Sequence, residues 1–353
     1  MNLTDFHFDL PEELIGQAAI EPRDSCKLLV VDRRQQTLSH RTFRDLLALL
    51  DSQSVLVLND TKVFPARLFG TKETGGKIEV LLLKQLALDT YLGIARGKLQ
   101  SGQKINFADG LEAQVLTKDG AGEITFKFNH SGLELLNLLD KLGQTPLPPY
   151  IHSTADEKVL REKYQTVYAK EKGSAAAPTA GLHFTENLLT ELAERGVQIE
   201  KITLHVGLGT FKPVTAEQIS TQTLHSESFW LSEVTATRLN EAKKAGKKII
   251  AVGTTTCRVL ETQANSDGIL IPGEGETNIF IQPGYQFKFV DGLITNFHLP
   301  ETSLLMLVSA LVSFPNATPL FTNFQSSLIG QAYHEAIKKK YQFFSFGDAM
   351  III

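Results

Sequence analysis

Three histidines stand where proton-transfer chemistry is often built. His183 precedes a helical segment, His205 follows a strand-like segment, and His298 lies between a strand-like segment and an apolar helical one. Ligands of α/β folds gather where strands end and helices begin, and the imidazole pKa near neutrality suits a general acid or base. A single histidine in such a place is more often a hydrogen-bonded structural residue. The three together leave both a shared catalytic site and three structural roles open.

The loop before His183 is built of small residues. Residues 175–184 read AAAPTAGLHF, and Thr185 then opens the amphipathic segment TENLLTELAERG. Alanine and glycine have almost no side chain, so the loop either lets the backbone and one imidazole approach a flat ligand or is a passive connector.

A second candidate site lies in KKIIAVGTTTCRVLE, which predicts a buried strand, a glycine turn and a helix. The N–H groups at the helix start and the hydroxyls of Thr254 and Thr255 suit a phosphate or a carboxylate, with Arg258 one turn later as a counter-charge. The alternative is an ordinary threonine N-cap without a ligand.

The third candidate site is the segment NDTKVFPARL, residues 59–68, where Asn59, Asp60 and Arg67 follow a strand-like run. Such a loop suits a polar ligand, and Asx-turn chemistry explains it equally well. The GLGTF segment at 207–211 lacks the third glycine of a dinucleotide fingerprint and is interpreted as a tight turn.

Two basic runs are present, AKKAGKK at 242–248 and IKKKYQFF at 337–344. Lysine binds RNA phosphates and aromatic rings stack on bases. Most lysine runs are solvated helix faces, which is our interpretation of the first run.

The elements that must position these residues fall into two kinds. Helix-like and strand-like segments alternate before residue 66 and after residue 151, whereas residues 67–150 carry closely spaced short strands with Asp-Gly turns. That texture is typical of a small antiparallel barrel or sandwich. We therefore predict an α/β domain of residues 1–66 plus 151–353, with a small β-barrel domain of residues 67–150 inserted. We also expect FKFV-DG-LITNF to form a hairpin and SLLMLVSALV a buried helix.

Composition narrows the class of protein. The chain has 353 residues, a net charge of -4 and two cysteines, and no HExxH, GxSxG, Walker or metal-spaced Cys/His motif. Several large enzyme classes and a metal site are thereby disfavoured. The cysteine usage and the absence of a long apolar run predict a cytoplasmic protein without a membrane segment. A nucleic-acid partner would need a local basic patch.

Several long segments are similar to one family. GSAAAPTAGLHFT, LHVGLGTFKPV, VGTTTCRVLE, IQPGYQF, DGLITNFHLPETSLLMLVSAL and FFSFGDAM stand in family order, and NDTKVFPARL joins them. Together they resemble the S-adenosylmethionine:tRNA ribosyltransferase-isomerases of queuosine biosynthesis, over nearly the whole chain. Three positions depart from the family pattern: Lys163 and Gln342 replace expected arginines, and Phe346 replaces an expected tyrosine.

The resemblance implies a barrel-like α/β major domain with an inserted small antiparallel β-barrel. It implies transfer and isomerisation of the ribosyl part of S-adenosylmethionine onto the aminomethyl-deazaguanine (preQ1) at the wobble position of a tRNA with a GUN anticodon. The products are epoxyqueuosine-tRNA, adenine and methionine. It implies no metal and no cofactor beyond S-adenosylmethionine, which is consumed, and we expect a monomer.

That chemistry needs a base, an acid for the departing purine and a grip on the methionine carboxylate. On the resemblance, His183 and His298 are expected to share the proton transfers, with His205 as an accessory. Thr254, Thr255 and Arg258 are expected to hold the carboxylate. Asn59, Asp60 and Arg67 are expected to orient the ribose or the base. Two rival functions are a methyltransferase using the same donor and a non-catalytic RNA-binding module.

Overall fold

A computed structural model describes residues 3–120, 122–153, 155–207, 214–314 and 321–353. The strands within these residues are, in chain order, β1 (Lys27–Asp32), β2 (Thr37–Thr42), β3 (Ser54–Asn59), β4 (Thr61–Val63), β5 (Arg67–Lys72), β6 (Lys77–Ala87), β7 (Thr90–Arg96), β8 (Lys104–Asn106), β9 (Glu112–Lys118), β10 (Ile124–Phe128), β11 (Glu171–Ser174), β12 (Gln198–Leu204), β13 (Thr223–Leu231), β14 (Lys248–Val252), β15 (Gly273–Ile279), β16 (Gly292–Asn296) and β17 (Ala349–Ile352). The α-helices are α1 (Leu46–Leu49), α2 (Gly132–Leu142), α3 (Glu157–Lys163), α4 (Glu186–Glu194), α5 (Ala216–Thr221), α6 (Glu233–Lys244), α7 (Thr254–Gln263), α8 (Ser303–Val312) and α9 (Leu328–Lys338).

Nine strands form one mixed sheet in the order β15-β13-β12-β3-β14-β16-β17-β1-β2. The central strands β12, β3, β14 and β16 are parallel to one another. Their carboxyl ends therefore lie at the same edge of the sheet. Strand β17 pairs antiparallel with β16, with Ala349 opposite Asn296, so the segment that leads into β17 arrives at this edge too.

Both faces of the sheet are covered, which is why its central strands are apolar runs rather than alternating ones. On one face Val57, Ala251 and Leu293 pack with residues of α7, α8 and α9. On the other face Leu58 and Ile294 pack with residues of α4 and of the segment before it. Residues Leu305–Val312 of α8 are all buried, which confirms the predicted buried helix.

The inserted region contains a closed antiparallel barrel of six strands in the order β10-β7-β6-β5-β8-β9. Leu82, Val115 and Phe126 fill its interior, and α2 adds Leu135 and Leu139 to the same core. The α/β class and the small antiparallel barrel are confirmed. The division into two domains at residues 67 and 150 stays a prediction.

The expected FKFV-DG-LITNF hairpin is wrong. LITN lies in β16, which pairs with β14 and β17, whereas FKFV is irregular. The cause is the buried carboxylate of Glu261, which accepts hydrogen bonds from the backbone N–H groups of Lys288, Phe289 and Val290 at 2.8, 3.0 and 2.9 Å. Those donors are therefore not available to a strand ladder.

Candidate active site

A cavity of about 460 Å³ opens at the carboxyl edge of β14 and β16. It takes its walls from the small-residue loop, the start of α7, the segment after β16, the segment before β17 and the segment that returns from the barrel. The lining residues used below are Tyr150, Pro178, Thr179, Ala180, Gly253, Thr254, Thr255, Thr295, Asn296, His298, Phe344 and Ser345.

The small-residue loop crosses the end of β16 as one 3-10 turn, Thr179–His183, and Thr185 then caps α4 through the Leu188 N–H. A side chain at Gly181 would collide with Tyr168, because a Cβ there would lie 2.1 Å from its hydroxyl. The close packing of this turn therefore requires glycine, and the loop is a wall of the cavity rather than a free connector.

His298 lines the cavity and is 9% exposed. Its Nε2 lies 3.0 Å from the Thr295 hydroxyl, and its backbone N–H donates to the Tyr333 hydroxyl at 3.0 Å. Burial lowers the pKa of His298 to about 3, because a charged imidazolium loses its hydration there. The ring is therefore neutral at physiological pH.

His183 is buried, does not line the cavity, and contacts the lining residue Asn296. The Asn296 amide donates to His183 Nε2 at 3.0 Å, and the Thr179 hydroxyl donates to Asn296 Oδ1 at 3.0 Å. On its other side His183 Nδ1 lies 3.2 Å from the Cys26 thiol, whose pKa is raised by burial. Burial, helped by Arg23, lowers the pKa of His183 to about 4, so this ring is neutral as well.

His205 lies at the same edge after β12, which is two strands from β14 in the sheet. Its Nδ1 is 2.8 Å from the Thr61 hydroxyl, and burial lowers its pKa against the opposing charges of Asp60 and Glu171. Asp60 itself accepts from the Thr203 hydroxyl at 2.7 Å, and burial raises its pKa. Neither His205 nor Asp60 is among the cavity's lining residues, although the adjacent Val206 is.

The start of α7 borders the cavity as the sequence predicts. Gly253 has φ +89°, a conformation that suits glycine, and Thr254 and Thr255 follow it on the cavity wall. The N–H groups at this end carry the positive pole of the helix dipole, so the position suits an anion.

Arg258 is not brought into the cavity. Its guanidinium forms a buried ion pair with Glu227 and donates to the Thr277 carbonyl at 3.3 Å. The charge of Arg258 is therefore already neutralised by Glu227 of β13, on the side of α7 that faces β13 and β15.

Asn59 and Arg67 also serve other contacts. Asn59 accepts from the N–H groups of Thr61 and Leu204 at 3.1 and 3.0 Å, and its amide donates to the Thr255 hydroxyl at 3.3 Å. Arg67 begins the barrel, where it donates to the Leu147 carbonyl at 3.0 Å and lies 3.3 Å from Glu79. Asn59 thus supports the cavity from behind, and Arg67 is not among the lining residues.

Sequence reasoning missed several cavity residues, among them Asn296, Tyr150 and Phe344. Asn296 stands two residues before His298 at the end of a strand, a position that could have singled it out. Nothing local distinguishes Tyr150, and Phe344 shares its run with aromatic residues that are buried.

A sequence profile of the queuosine biosynthesis protein family matches residues 3–352. The chain belongs to this family. Two of its relatives, from Symbiobacterium thermophilum and Clostridioides difficile, are 51% and 49% identical over the full length of both chains, and each is named S-adenosylmethionine:tRNA ribosyltransferase-isomerase. A crystal structure of S-adenosylmethionine tRNA ribosyltransferase from Thermotoga maritima is 33% identical, covers 99% of this chain and 100% of its own, and has a TM-score of 0.53.

Two departures from the expected pattern of this queuosine biosynthesis family have defined surroundings. Lys163 forms an ion pair with Glu21. Phe346 is buried, with its ring edge-on to Tyr164 at 5.9 Å between centroids. At the third, Gln342, the backbone N–H donates to Asp348 at 2.8 Å.

Among the described residues of this family member, no cluster of three or more His, Cys, Asp or Glu side chains could hold a metal ion. None of the described helices has the length and apolar character needed to cross a membrane. The GLGTF segment lies outside the described residues from residue 208 onward.

Proposed function

We propose that this chain transfers and isomerises the ribosyl part of S-adenosylmethionine onto the preQ1 base of tRNA, releasing adenine and methionine. The observation that carries the proposal is the match, over full length and at about half identity, to relatives named for this activity. The cavity supports it, because the motifs that resemble this family meet there from five separate parts of the chain.

The reaction needs a proton acceptor beside a sulfonium. The positive sulfur acidifies the adjacent ribose methylene, so a base can remove that proton and help to expel adenine. The substrate amine then attacks the ribosyl carbon, and closure of the epoxide releases methionine.

His298 is our choice for the residue that carries protons. It is the one of the three histidines that lines the cavity, so its ring is the one placed to meet a bound substrate. Among the described residues its Nδ1 has no hydrogen-bond partner, since the side-chain hydrogen bond of this ring joins Nε2 and the Thr295 hydroxyl. His205 stays an accessory, and His183 acts through Asn296 by fixing the direction of that amide.

The methionine carboxylate is assigned to the start of α7. Thr254 and Thr255 contribute hydroxyls beside the free N–H groups of the helix. Asn59 and Arg258 hold this helix start in place rather than bind the ligand, because Asn59 donates to Thr255 and Arg258 is paired with Glu227.

The finer assignments belong to the same proposal. The tRNA partner has a GUN anticodon and carries preQ1, the enzyme works as a cytoplasmic monomer, and S-adenosylmethionine is consumed without another cofactor. Asp60 remains a candidate for orienting the ribose, since it lies beside His205 at the same sheet edge. Arg67 stays a candidate for orienting the ribose or the base, although it does not line the cavity.

One assay separates this function from its rivals. The protein is incubated with S-adenosylmethionine and preQ1-bearing tRNA, and free adenine and the mass of the tRNA are measured. Adenine release with a ribosylated tRNA supports the proposal, and tRNA that lacks preQ1 is the matched control. S-adenosylhomocysteine as product would indicate a methyltransferase, and tRNA binding without product an RNA-binding module.

A further inference from the structure

Tyr150 and Phe344 form a pair of aromatic rings on the cavity wall. Their centroids are 4.1 Å apart, their planes meet at 41°, and both line the cavity while remaining partly exposed. The other aromatic residues of this carboxyl-terminal run, Tyr341, Phe343 and Phe346, are buried. Phe344 alone of the run presents its ring to the cavity.

The backbone of Phe344 is held in an uncommon conformation that turns it away from its buried neighbours. Its φ is +72°, in the left-handed region that residues other than glycine seldom adopt. Its N–H donates to the Phe297 carbonyl at 3.1 Å, and its carbonyl accepts from the Gly347 N–H at 2.9 Å. Such conformations persist where the surroundings fix them, and they concentrate at ligand sites.

The Tyr150 ring is fixed as well. Its hydroxyl lies 2.7 Å from the Ser345 hydroxyl, and its carbonyl accepts from the Gln17 amide at 3.0 Å. Burial raises the pKa of Tyr150, so the phenol is neutral and the ring contributes an apolar face. The aromatic wall thus joins the segment returning from the barrel to the segment entering β17.

We propose that a purine-type base binds on this aromatic pair. The inference rests on the proposed function, in which both substrates bring such a heterocycle: the adenine of the donor and the deazaguanine of the tRNA. Because the two rings already contact each other, the base stacks on their joint exposed surface and not between them. Stacking of a base on an aromatic side chain corresponds to about fivefold to about 150-fold in affinity.

The test measures two equilibrium constants in the full-length chain. The dissociation constant for S-adenosylmethionine is determined without tRNA by calorimetry, and that for preQ1-bearing tRNA by filter binding. The variants are Phe344→Leu and Tyr150→Leu, with Phe344→Tyr restoring a ring. Trp230→Leu is the matched control, since Trp230 is an exposed aromatic residue on β13 outside the cavity.

We expect both leucine variants to raise the dissociation constant for one of the two substrates at least about fivefold. Phe344→Tyr should recover most of that loss of affinity, and Trp230→Leu should change neither constant. Weaker S-adenosylmethionine binding alone identifies the base as adenine, and weaker tRNA binding alone identifies it as the deazaguanine. If both leucine variants keep both constants within about twofold of wild type, the inference is overturned.

Melting temperatures establish that each variant is folded. Should Phe344→Leu fail to fold at its positive φ, Tyr150→Leu carries the test. Neither binding constant depends on turnover. If the chain releases no adenine, the proposed function is therefore refuted. The binding of a base on the aromatic pair is still tested by the two dissociation constants.

Discussion

At the scale of single residues, the site depends on a hydrogen-bonded row that fixes one amide. Thr179 donates to Asn296 Oδ1, and the Asn296 NH2 donates to His183 Nε2. The Thr179 hydroxyl can also accept and the His183 ring has two tautomers, so this direction of the amide goes with the His183 tautomer whose Nε2 carries no proton. The cavity therefore meets an Asn296 side chain of fixed orientation, and His183 contributes without touching the cavity.

His298 allows a direct test of proton transfer. We expect His298→Gln to lower kcat at least about a hundredfold, because general acid–base catalysis contributes on this order. The binding constant for S-adenosylmethionine should change far less, since glutamine keeps a polar side chain of similar length. The measurement is adenine release in single turnover. A rate within threefold of wild type would exclude His298 as the proton carrier.

The two buried neutral histidines make stability depend on pH. In the folded chain the pKa is about 4 for His183 and about 3 for His298, whereas a histidine of the unfolded chain has a pKa near 6.5. Between the folded and the unfolded pKa the unfolded chain therefore binds more protons. Stability is therefore lost as pH falls below about 6.5, by about 2 kcal/mol for each histidine between pH 7 and pH 5.

Comparison with a variant isolates this contribution. Asp60 and Asp348 have raised pKa values and act in the opposite direction. We therefore expect urea unfolding of His298→Gln to lose about 2 kcal/mol less than wild type between pH 7 and pH 5. Equal losses in the two proteins would show that His298 does not fold in the neutral form.

The sequence predicts which kinds of residue surround the cavity better than it predicts their roles. His298, Thr254 and Thr255 are found on the wall because each directly follows a central parallel strand, a relation that is local in sequence. The role of His183 depends on Asn296, 113 residues away, and that of Arg258 on Glu227 and Thr277. Such partners become visible only after folding.

At the scale of elements, the parallel strands position the loops that form the cavity. The carboxylate of Glu261 determines the conformation of the segment before β16. Runs such as SVLVLN and KIIAV identify β3 and β14, since a strand covered on both faces is apolar throughout. The same local reasoning fails for FKFV, because its N–H donors are taken by Glu261 on α7. A buried long-range acceptor overrides a strong hairpin pattern.

Glu261 should accordingly be a large contributor to stability. We expect Glu261→Ala to cost about 3 kcal/mol of unfolding free energy, because the buried N–H donors of Phe289 and Val290 and the part-buried one of Lys288 lose their acceptor. Glu261→Gln retains one acceptor oxygen and should fall between alanine and wild type. Urea unfolding gives the magnitudes, and hydrogen exchange should rise at residues 288–290 but not in the barrel. A loss below about 1 kcal/mol for Glu261→Ala would mean that water replaces the carboxylate.

At the scale of the whole molecule, a chain of net charge -4 has to accept a polyanion. Helix α9 ends at the exposed Lys338, and the exposed Lys339 and Lys340 follow it, just before the segment that reaches the cavity at Phe344. The Lys27 side chain donates to the carbonyls of Lys339 and Lys340, which fixes this turn. The basic run therefore lies at the cavity edge of the sheet and suits tRNA phosphates.

The other basic run provides a matched control for this surface, because it lies at the opposite edge. Exposed Lys244 ends α6, and exposed Lys248 begins β14, whose carboxyl end is the one that meets the cavity. Each phosphate contact contributes about 0.7 to 0.9 to the slope of log affinity against log salt. We expect the double change Lys338→Gln with Lys339→Gln to lower that slope for tRNA by about one to two and to leave S-adenosylmethionine binding unchanged. Lys244→Gln with Lys248→Gln should keep the wild-type slope, and an equal reduction by both pairs would mean that tRNA responds to net charge alone.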